Sequence, residues 1–384
     1  VTWGLYNDTS YNITPYDVPE YTTPTQVANL SSVVSVAADR EWGFALTSNG
    51  EVWRWTGRLT IEEHNEMPSA VRVDGLTDVA SIAGGAGGLT ALKKDGTVWY
   101  AARNTENGEL DTPEPVQDAS GMPLSGIIEI SSGEEHSLAL AGDGTVYAWG
   151  DNFYGQLGDG TRESRDYAAP IRNYTGAEKI VKVKAAEGYN LLEDEAGVRW
   201  AFGKSDDIEG VTYPKHLWMA QPLAEEEIAE TYPPVGIKEI ARYSHLGLVL
   251  GTDGSVWQKG TYTYTLQEED PEYYPPGMYF MYVYIHDSDW TRTEGLSGTI
   301  EIPKTPALTI AASAFNNSQS LAVVNGFLMS AGDNNWGQLG DGTNTASSFP
   351  EFVVDYQDYQ MDDVKKVSSG YGFNLILTED GRVW

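Results

Sequence analysis

The stretch GDNNWGQLGDGT at residues 332–343 decides the fold, because a near copy, GDNFYGQLGDGT, stands at residues 150–161. Two copies this alike and this far apart point to internal duplication, and self-similarity at a long period signals a repeat architecture. Their flanks match as well. IIEISSGEEHSLALAGDGTVYAWGDN begins at residue 127 and LTIAASAFNNSQSLAVVNGFLMSAGDNN at residue 308. Each reads as a short apolar strand, a turn of small and polar residues, a second apolar strand, an Asp-Gly or Asn-Gly pair, and a third strand. Asp-Gly and Asn-Gly predict a two-residue primed hairpin turn, because these residues tolerate positive φ.

The unit recurs with starts at residues 33, 78, 180, 237 and 364, making seven copies with turn glycines at Gly50, Gly96, Gly144, Gly197, Gly254, Gly326 and Gly381. The spacing lies near the ~40 to 50 residues of a four-stranded propeller blade. The last copy stops at Trp384 in its third strand, whereas VTWG at residues 1–4 matches the end of TVYAWG at residues 145–150. Placing Trp3 and Gly4 on Trp149 and Gly150 predicts a ring closed by N- and C-terminal strands, which removes the exposed sheet edges of an open array. The expected fold is therefore an all-β, seven-bladed β-propeller over residues 1–384, with an insertion at 261–307 between blades five and six.

These residues resemble the regulator of chromosome condensation repeat family. Its repeats carry a small-residue turn with a His, a DGxVxxWG strand and an NxxGQLG tail. The tail is intact in the third and sixth copies, and the resemblance implies the same seven-bladed propeller. It also implies one function, that of a guanine-nucleotide exchange factor that inserts a protruding hairpin into a small GTPase, which stands as the alternative to a non-enzymatic recognition module or a structural spacer in a larger surface protein.

Charge narrows the partners. The chain has 56 acidic and 24 basic residues and a net charge of −32. Nucleic-acid affinity comes from Lys and Arg neutralising phosphates, so no nucleic-acid partner is expected. No apolar run reaches 18 residues, so no membrane-spanning helix is expected. The acidity and the absence of cysteine favour a bacterial secreted or cell-surface protein. Val1 stands where an initiator Met would, which reads as processing or as an excerpt from a longer protein.

Catalytic motifs were sought. The five histidines show no metal-ligand spacing, there is no Cys nucleophile, and neither a G-x-S-x-G elbow nor a P-loop occurs. Counting twelve positions from Asp151 or Asp333 reaches Arg162 or Asn344, so the closing Glu of a calcium loop is missing. A non-enzymatic module without cofactor or metal is expected.

Two surfaces are candidates for a protein or glycan ligand. The turns between first and second strands should gather at one rim, where Arg40, Glu41, Trp42, Glu135, His136, Tyr189, Asn190, Tyr243, His245, Asn317, Tyr371 and Phe373 vary while the strands repeat. The propeller-type β-lactamase inhibitory proteins have a similar architecture, and by that likeness Trp42, Tyr189, Tyr243 and Tyr371 are the expected contacts. His136 belongs to the repeat pattern and is expected to make a structural hydrogen bond. The second surface is the insertion, where TYTYTL and MYFMYVYI read as an extra hairpin whose connection carries Tyr273 and Tyr274. A short helix is expected near residues 222–230.

Overall fold

A computed structural model describes residues 24, 26–39, 42–56, 69–85, 87–104, 109–172, 174, 178–186, 188–204, 217–222, 237–243, 246–251, 256–259, 261–268, 279–286, 291–292, 309–312, 319–324, 327–332, 334, 337–355, 360–369 and 373–384. Trp3, Gly4, Arg40, Glu41, residues 223–230, His245, Tyr273, Tyr274, Asn317 and Tyr371 lie outside them. Among the described residues there is no helix. Six four-stranded sheets, one two-stranded sheet and one separate hairpin account for the strands.

The first sheet holds β1 (Val33–Ala38), β2 (Trp42–Thr47), β3 (Val52–Thr56) and β4 (Val71–Arg72), and the second β5 (Val79–Gly85), β6 (Gly88–Lys93), β7 (Val98–Ala102) and β8 (Glu114–Pro115). The third holds β9 (Ile127–Ser132), β10 (His136–Ala141), β11 (Val146–Gly150) and β12 (Arg165–Pro170), and the fourth β13 (Ile180–Ala185), β14 (Tyr189–Asp194), β15 (Arg199–Gly203) and β16 (Leu217–Pro222). In the fifth, β17 (Ile237–Tyr243), β18 (Leu246–Gly251) and β19 (Val256–Lys259) are followed by the separate pair β20 (Thr261–Glu268) and β21 (Tyr279–His286), and then by β22 (Thr291–Arg292), which returns to β19. The sixth sheet holds β23 (Thr309–Ala312), β24 (Gln319–Val324), β25 (Phe327–Gly332) and β26 (Ser347–Phe352), and the last β27 (Val364–Ser369) and β28 (Asn374–Thr378). Each four-stranded sheet is an antiparallel meander in chain order.

The expected extra hairpin is present, paired from Thr261 opposite His286 to Glu268 opposite Tyr279. Its position differs from the expectation, because β22 follows it: the hairpin interrupts the fifth sheet instead of separating it from the sixth. The turns differ too. Gly144 N donates to Ala141 O at 2.9 Å and Ala141 N to Thr145 O at 2.8 Å, which encloses a three-residue loop. Gly50, Gly96, Gly144, Gly197 and Gly381 have φ of 85, 82, 93, 79 and 82°, while the residue before each (Asn49, Asp95, Asp143, Ala196 and Asp380) keeps negative φ. A type I turn followed by a left-handed Gly fits this geometry. The Asp side chain explains the choice: Asp143 Oδ1 accepts from Thr145 N at 2.9 Å, and Asp95 Oδ1 accepts from Thr97 N at the same distance.

The second strand of each well-described sheet is buried almost throughout, as in β10 and β28, because neighbouring sheets cover both faces. Each apolar core accordingly lies between two sheets. Leu92, Val98, Ile127, Ile130 and Trp149 join the second to the third, and Leu138, Leu157, Val183, Leu192 and Phe202 join the third to the fourth. Val33, Val36 and Trp55 of the first sheet share a cluster with Phe373, Leu375 and Val383 of the last, and Val27 belongs to it.

Backbone bonds at this junction repeat those made elsewhere. Val73 N donates to Val52 O at 2.8 Å, Val116 N to Val98 O at 2.9 Å and Ile171 N to Val146 O at 2.9 Å. Val27 N donates to Val383 O at 2.9 Å in the same register, so residue 27 takes the outer-strand place of the last sheet. A Cβ on Gly381 would sit 3.3 Å from Val33 N, much as one on Gly50 would sit 3.1 Å from Val79 N.

Candidate functional site

The edge carrying the turns between first and second strands also carries the loops from third to fourth strands, because His136 pairs with Gly150 and Gly150 with Arg165. In the third sheet that loop is the repeated tail. Asn152, fully buried, accepts from Leu157 N at 2.9 Å and donates to the carbonyls of Thr161 and Glu163, each at 3.2 Å. Asn334 does the same with Leu339, Thr343 and Thr345 at 2.8, 3.0 and 3.1 Å. The motif that announced the repeat is thus a loop folded around one asparagine amide.

Tail and next sheet are tied together. Asn190 Nδ2 donates to Gln156 O at 2.8 Å, and Asn374 Nδ2 repeats the bond to Gln338 O at 3.0 Å. Asn190 Oδ1 then accepts from His136 Nε2 at 2.8 Å. This fixes the ring proton on Nε2 and leaves Nδ1 as a bare acceptor, buried and without a partner. Burial holds His136 down at about 4, against the Asn190 bond and the charge of Asp151, which pull the other way. The expected structural role of His136 is the one it plays.

The described rim residues divide sharply. Tyr189 and Phe373 are only 4% and 2% exposed, so these aromatics pack between sheets and offer no rim surface. Asn190 is fully buried. Trp42 is half-buried beneath Arg54, whose guanidinium lies 4.2 Å from the ring centroid and pairs with Glu109 at 2.7 Å. Tyr243 ends β17. Of Trp42, Glu135, His136, Tyr189, Asn190 and Phe373, Glu135 alone is exposed.

Glu135 opens onto a feature that the sequence did not reveal. A cleft of about 840 Å³ lies between the second and third sheets at this edge. One wall is the turn from Ser132 to Ser137; the others come from Gly87, Tyr100, Asp111 to Gln117, Trp149, and Asp166 with Tyr167. The base is held by hydroxyls: Ser132 Oγ donates to Thr90 Oγ1 at 3.1 Å and lies 3.0 Å from Ser137 Oγ. Gly87 N donates to Glu134 O at 3.0 Å, and Tyr100 Oη donates to Gly87 O at 2.5 Å, so both sheets share the wall. Burial, reinforced by the nearby charges of Asp39 and Glu135, pushes the Tyr100 hydroxyl up to about 12, so it remains a donor. The lining is drawn from segments 80 residues apart, which no local pattern joins.

Known proteins share this build. Residues 127–156 and 143–192 match models of the regulator of chromosome condensation (RCC1) repeat. The mitochondrial RCC1 domain-containing protein RUG3 of Arabidopsis thaliana is 29% identical over 184 residues, 43% of this chain and 40% of that protein. Among solved structures, human WBSCR16 superposes with a TM-score of 0.65 at 19% identity, covering 93% of this chain and 90% of its own. Yeast RCC1 (Prp20), solved with Kap60 bound, gives 0.63 at 19% identity, covering 89% and 79%. The chain spans less than half the length of the curated relatives it matches. The protein carries RCC1 repeats and has the all-β propeller fold of these neighbours.

Proposed function

We propose that the chain is a closed, seven-bladed propeller that works as a non-catalytic protein-recognition module, with the cleft between the second and third sheets as its binding surface. Closure is supported by the Val27 to Val383 bond and by the core shared between first and last sheets. Recognition is carried by one observation: a cleft of about 840 Å³, walled by a turn and loops on rigid sheets, with Glu135 and Tyr167 exposed at its mouth. The Prp20 structure, in which such a protein holds Kap60, supports a protein as ligand.

The test is paired affinity capture with the native chain and a Tyr167→Ala, Glu135→Ala double variant. A partner held by the first and lost by the second, at unchanged thermal stability, supports the reading. Equal capture by both moves the surface elsewhere, and no specific capture by either favours a structural spacer. A glycan is the alternative ligand, and the same pair on a glycan array tests it.

A second reading, nucleotide exchange on a small GTPase, has the β20–β21 hairpin in its favour as an element added to the repeat. Release of a fluorescent guanine nucleotide from a panel of small GTPases tests it, and no acceleration by the native chain sinks it. An extracellular or cell-surface location remains part of the proposal, on the strength of the net charge of −32 and the lack of cysteine. The relatives named above are from plant, human and yeast and lend no support to a bacterial source. Fractionation of the native source tests the location.

A further inference from the structure

Among the described hairpin turns that carry Asp or Asn before the glycine, the first alone has Asn. Asp95, Asp143 and Asp380 stand two residues ahead of Thr97, Thr145 and Arg382, whereas Asn49 stands two ahead of Glu51. Each Asp accepts the N–H of the residue two on, at 2.9 Å from Thr97, 2.9 Å from Thr145 and 3.3 Å from Arg382. Asn49 Oδ1 accepts from Glu51 N at 3.4 Å, and Asn49 Nδ2 donates to Glu51 Oε2 at 3.1 Å. An amide can make that second bond and a carboxylate cannot, because the Glu51 carboxylate is itself an acceptor.

Asn-Gly is also a pair prone to spontaneous deamidation, asparagine being a thermolabile residue. The main-chain N of the glycine attacks the asparagine Cγ, ammonia leaves and a succinimide forms; water then opens the ring to an α- or β-linked aspartate. Glycine presents no side chain to obstruct the attack. Asn49 is exposed, so its amide meets solvent. The attacking atom is engaged elsewhere: Gly50 N donates to Thr47 O at 2.9 Å, and the buried Gly50 is tied to the second sheet by Val79 N, which donates to its carbonyl at 3.0 Å. The amide is held too, since Thr47 Oγ1 donates to Asn49 Oδ1 at 2.5 Å. Ring closure needs Gly50 N to leave Thr47 O and the Asn49 side chain to turn back from Glu51. Both require the turn to open. Opening of a hairpin end is fast against this chemistry, so the rate follows the population of the open form.

We propose that Asn49 is a deamidation site gated by its own turn, and that its conversion is a one-way mark of opening. The aspartate sets a carboxylate beside Glu51 where a donor stood, and the β-linked form adds one carbon to the main chain, so the closed turn is not rebuilt as it was. The experiment incubates the full chain at one mildly alkaline pH, in buffer and in denaturing urea, and reads Asn49 by peptide mapping with mass spectrometry. Deamidation should be at least tenfold slower in buffer than in urea. Val52→Ala, which trims a fully buried side chain two residues past Gly50, should speed it at least threefold in buffer and leave it unchanged in urea. Equal rates in buffer and urea, or no acceleration by Val52→Ala, overturn the gate, and no reaction in urea overturns the site. Asn49→Asp should unfold at a lower urea concentration than the native chain, and adding Glu51→Gln should recover most of that loss. An Asn49→Asp chain as stable as the native one overturns the one-way mark.

Discussion

His136 and Asn190 form a two-residue tie whose energetics can be read directly. Above pH ~6.5 the ring is neutral in both folded and unfolded chains and contributes no pH dependence. Between 6.5 and about 4 the unfolded chain takes up a proton that the buried ring refuses, so stability falls as pH falls, by roughly 3 kcal/mol in all. His136→Gln keeps an N–H for Asn190 and removes the titration. Its urea-denaturation stability should therefore decline about 3 kcal/mol less than that of the native chain between pH 7 and pH 4. Identical declines would mean that the ring is solvated. Asn190→Ala strands both the His136 N–H and the Gln156 carbonyl in a fully buried place and should cost about 3 kcal/mol at pH 7, measured by the same titration. The role of His136 was legible because the repeat pattern itself carries the residue. The burial of Tyr189 and Phe373 was not: an aromatic at the start of a second strand has the same sequence appearance whether it faces solvent or a neighbouring sheet.

At the scale of the element, the hairpin turns show what a residue pair does and does not encode. Asp-Gly or Asn-Gly marked the turns at Gly50, Gly96, Gly144 and Gly381, while Ala196 precedes Gly197, yet either pair serves both a two-residue primed turn and a three-residue loop with one left-handed Gly. The Asp95 and Asp143 side chains decide for the second by capturing the N–H two residues on. The turn glycines are not equivalent in their surroundings. At Gly197 a Cβ meets nothing within 4 Å, whereas at Gly144 it would sit 2.9 Å from Lys179 Cβ. Gly197→Ala should therefore cost only the conformational term of about 1 kcal/mol, and Gly144→Ala about 2 kcal/mol, by thermal or urea unfolding. Equal costs would mean that Lys179 gives way freely. First, second and third strands were legible from apolar alternation between turn signals. Fourth strands such as Val71–Arg72 and Glu114–Pro115 were not, being two residues long and too short to show a period. The same blind spot misplaced the inserted hairpin, since Thr291–Arg292 gives no sign that it rejoins the fifth sheet.

At the scale of the whole molecule, stability depends on the junction of first and last sheets. Val27 is 1% exposed in the cluster that holds Trp55 and Phe373. Val27→Asp would bury a charge there and should cost about 3 to 5 kcal/mol, against less than about 0.5 kcal/mol for Val34→Asp, which is 42% exposed on β1. If the two variants unfold at the same denaturant concentration, the junction carries no load. The sequence hinted at such a junction through its partial last repeat, but the match it offered, Trp3 on Trp149, lies outside the described residues. The bond seen at Val27 was hidden because an outer strand needs little more than one apolar residue in register. The cleft was hidden for a related reason: its walls are assembled from Gly87, Asp111, Glu135 and Asp166, each unremarkable in its own segment.

The Val27 to Val383 bond has a consequence in time. Residue 27 leaves the ribosome long before residue 383, and at roughly 5 to 20 residues per second the interval is on the order of 20 to 70 s. Throughout it the Val27 N–H and the open face of β1 lack their partners from the last sheet, Val383, Phe373 and Leu375 among them, whereas each inner pair of sheets can dock as soon as its second member is made. The last step of folding is thus the joining of the two most distant parts of the chain, with the entropy of closing the longest loop set against it. A nascent chain stalled before residue 364 should expose the Val27 segment to protease, and one in which Trp384 has cleared the ribosome should protect it.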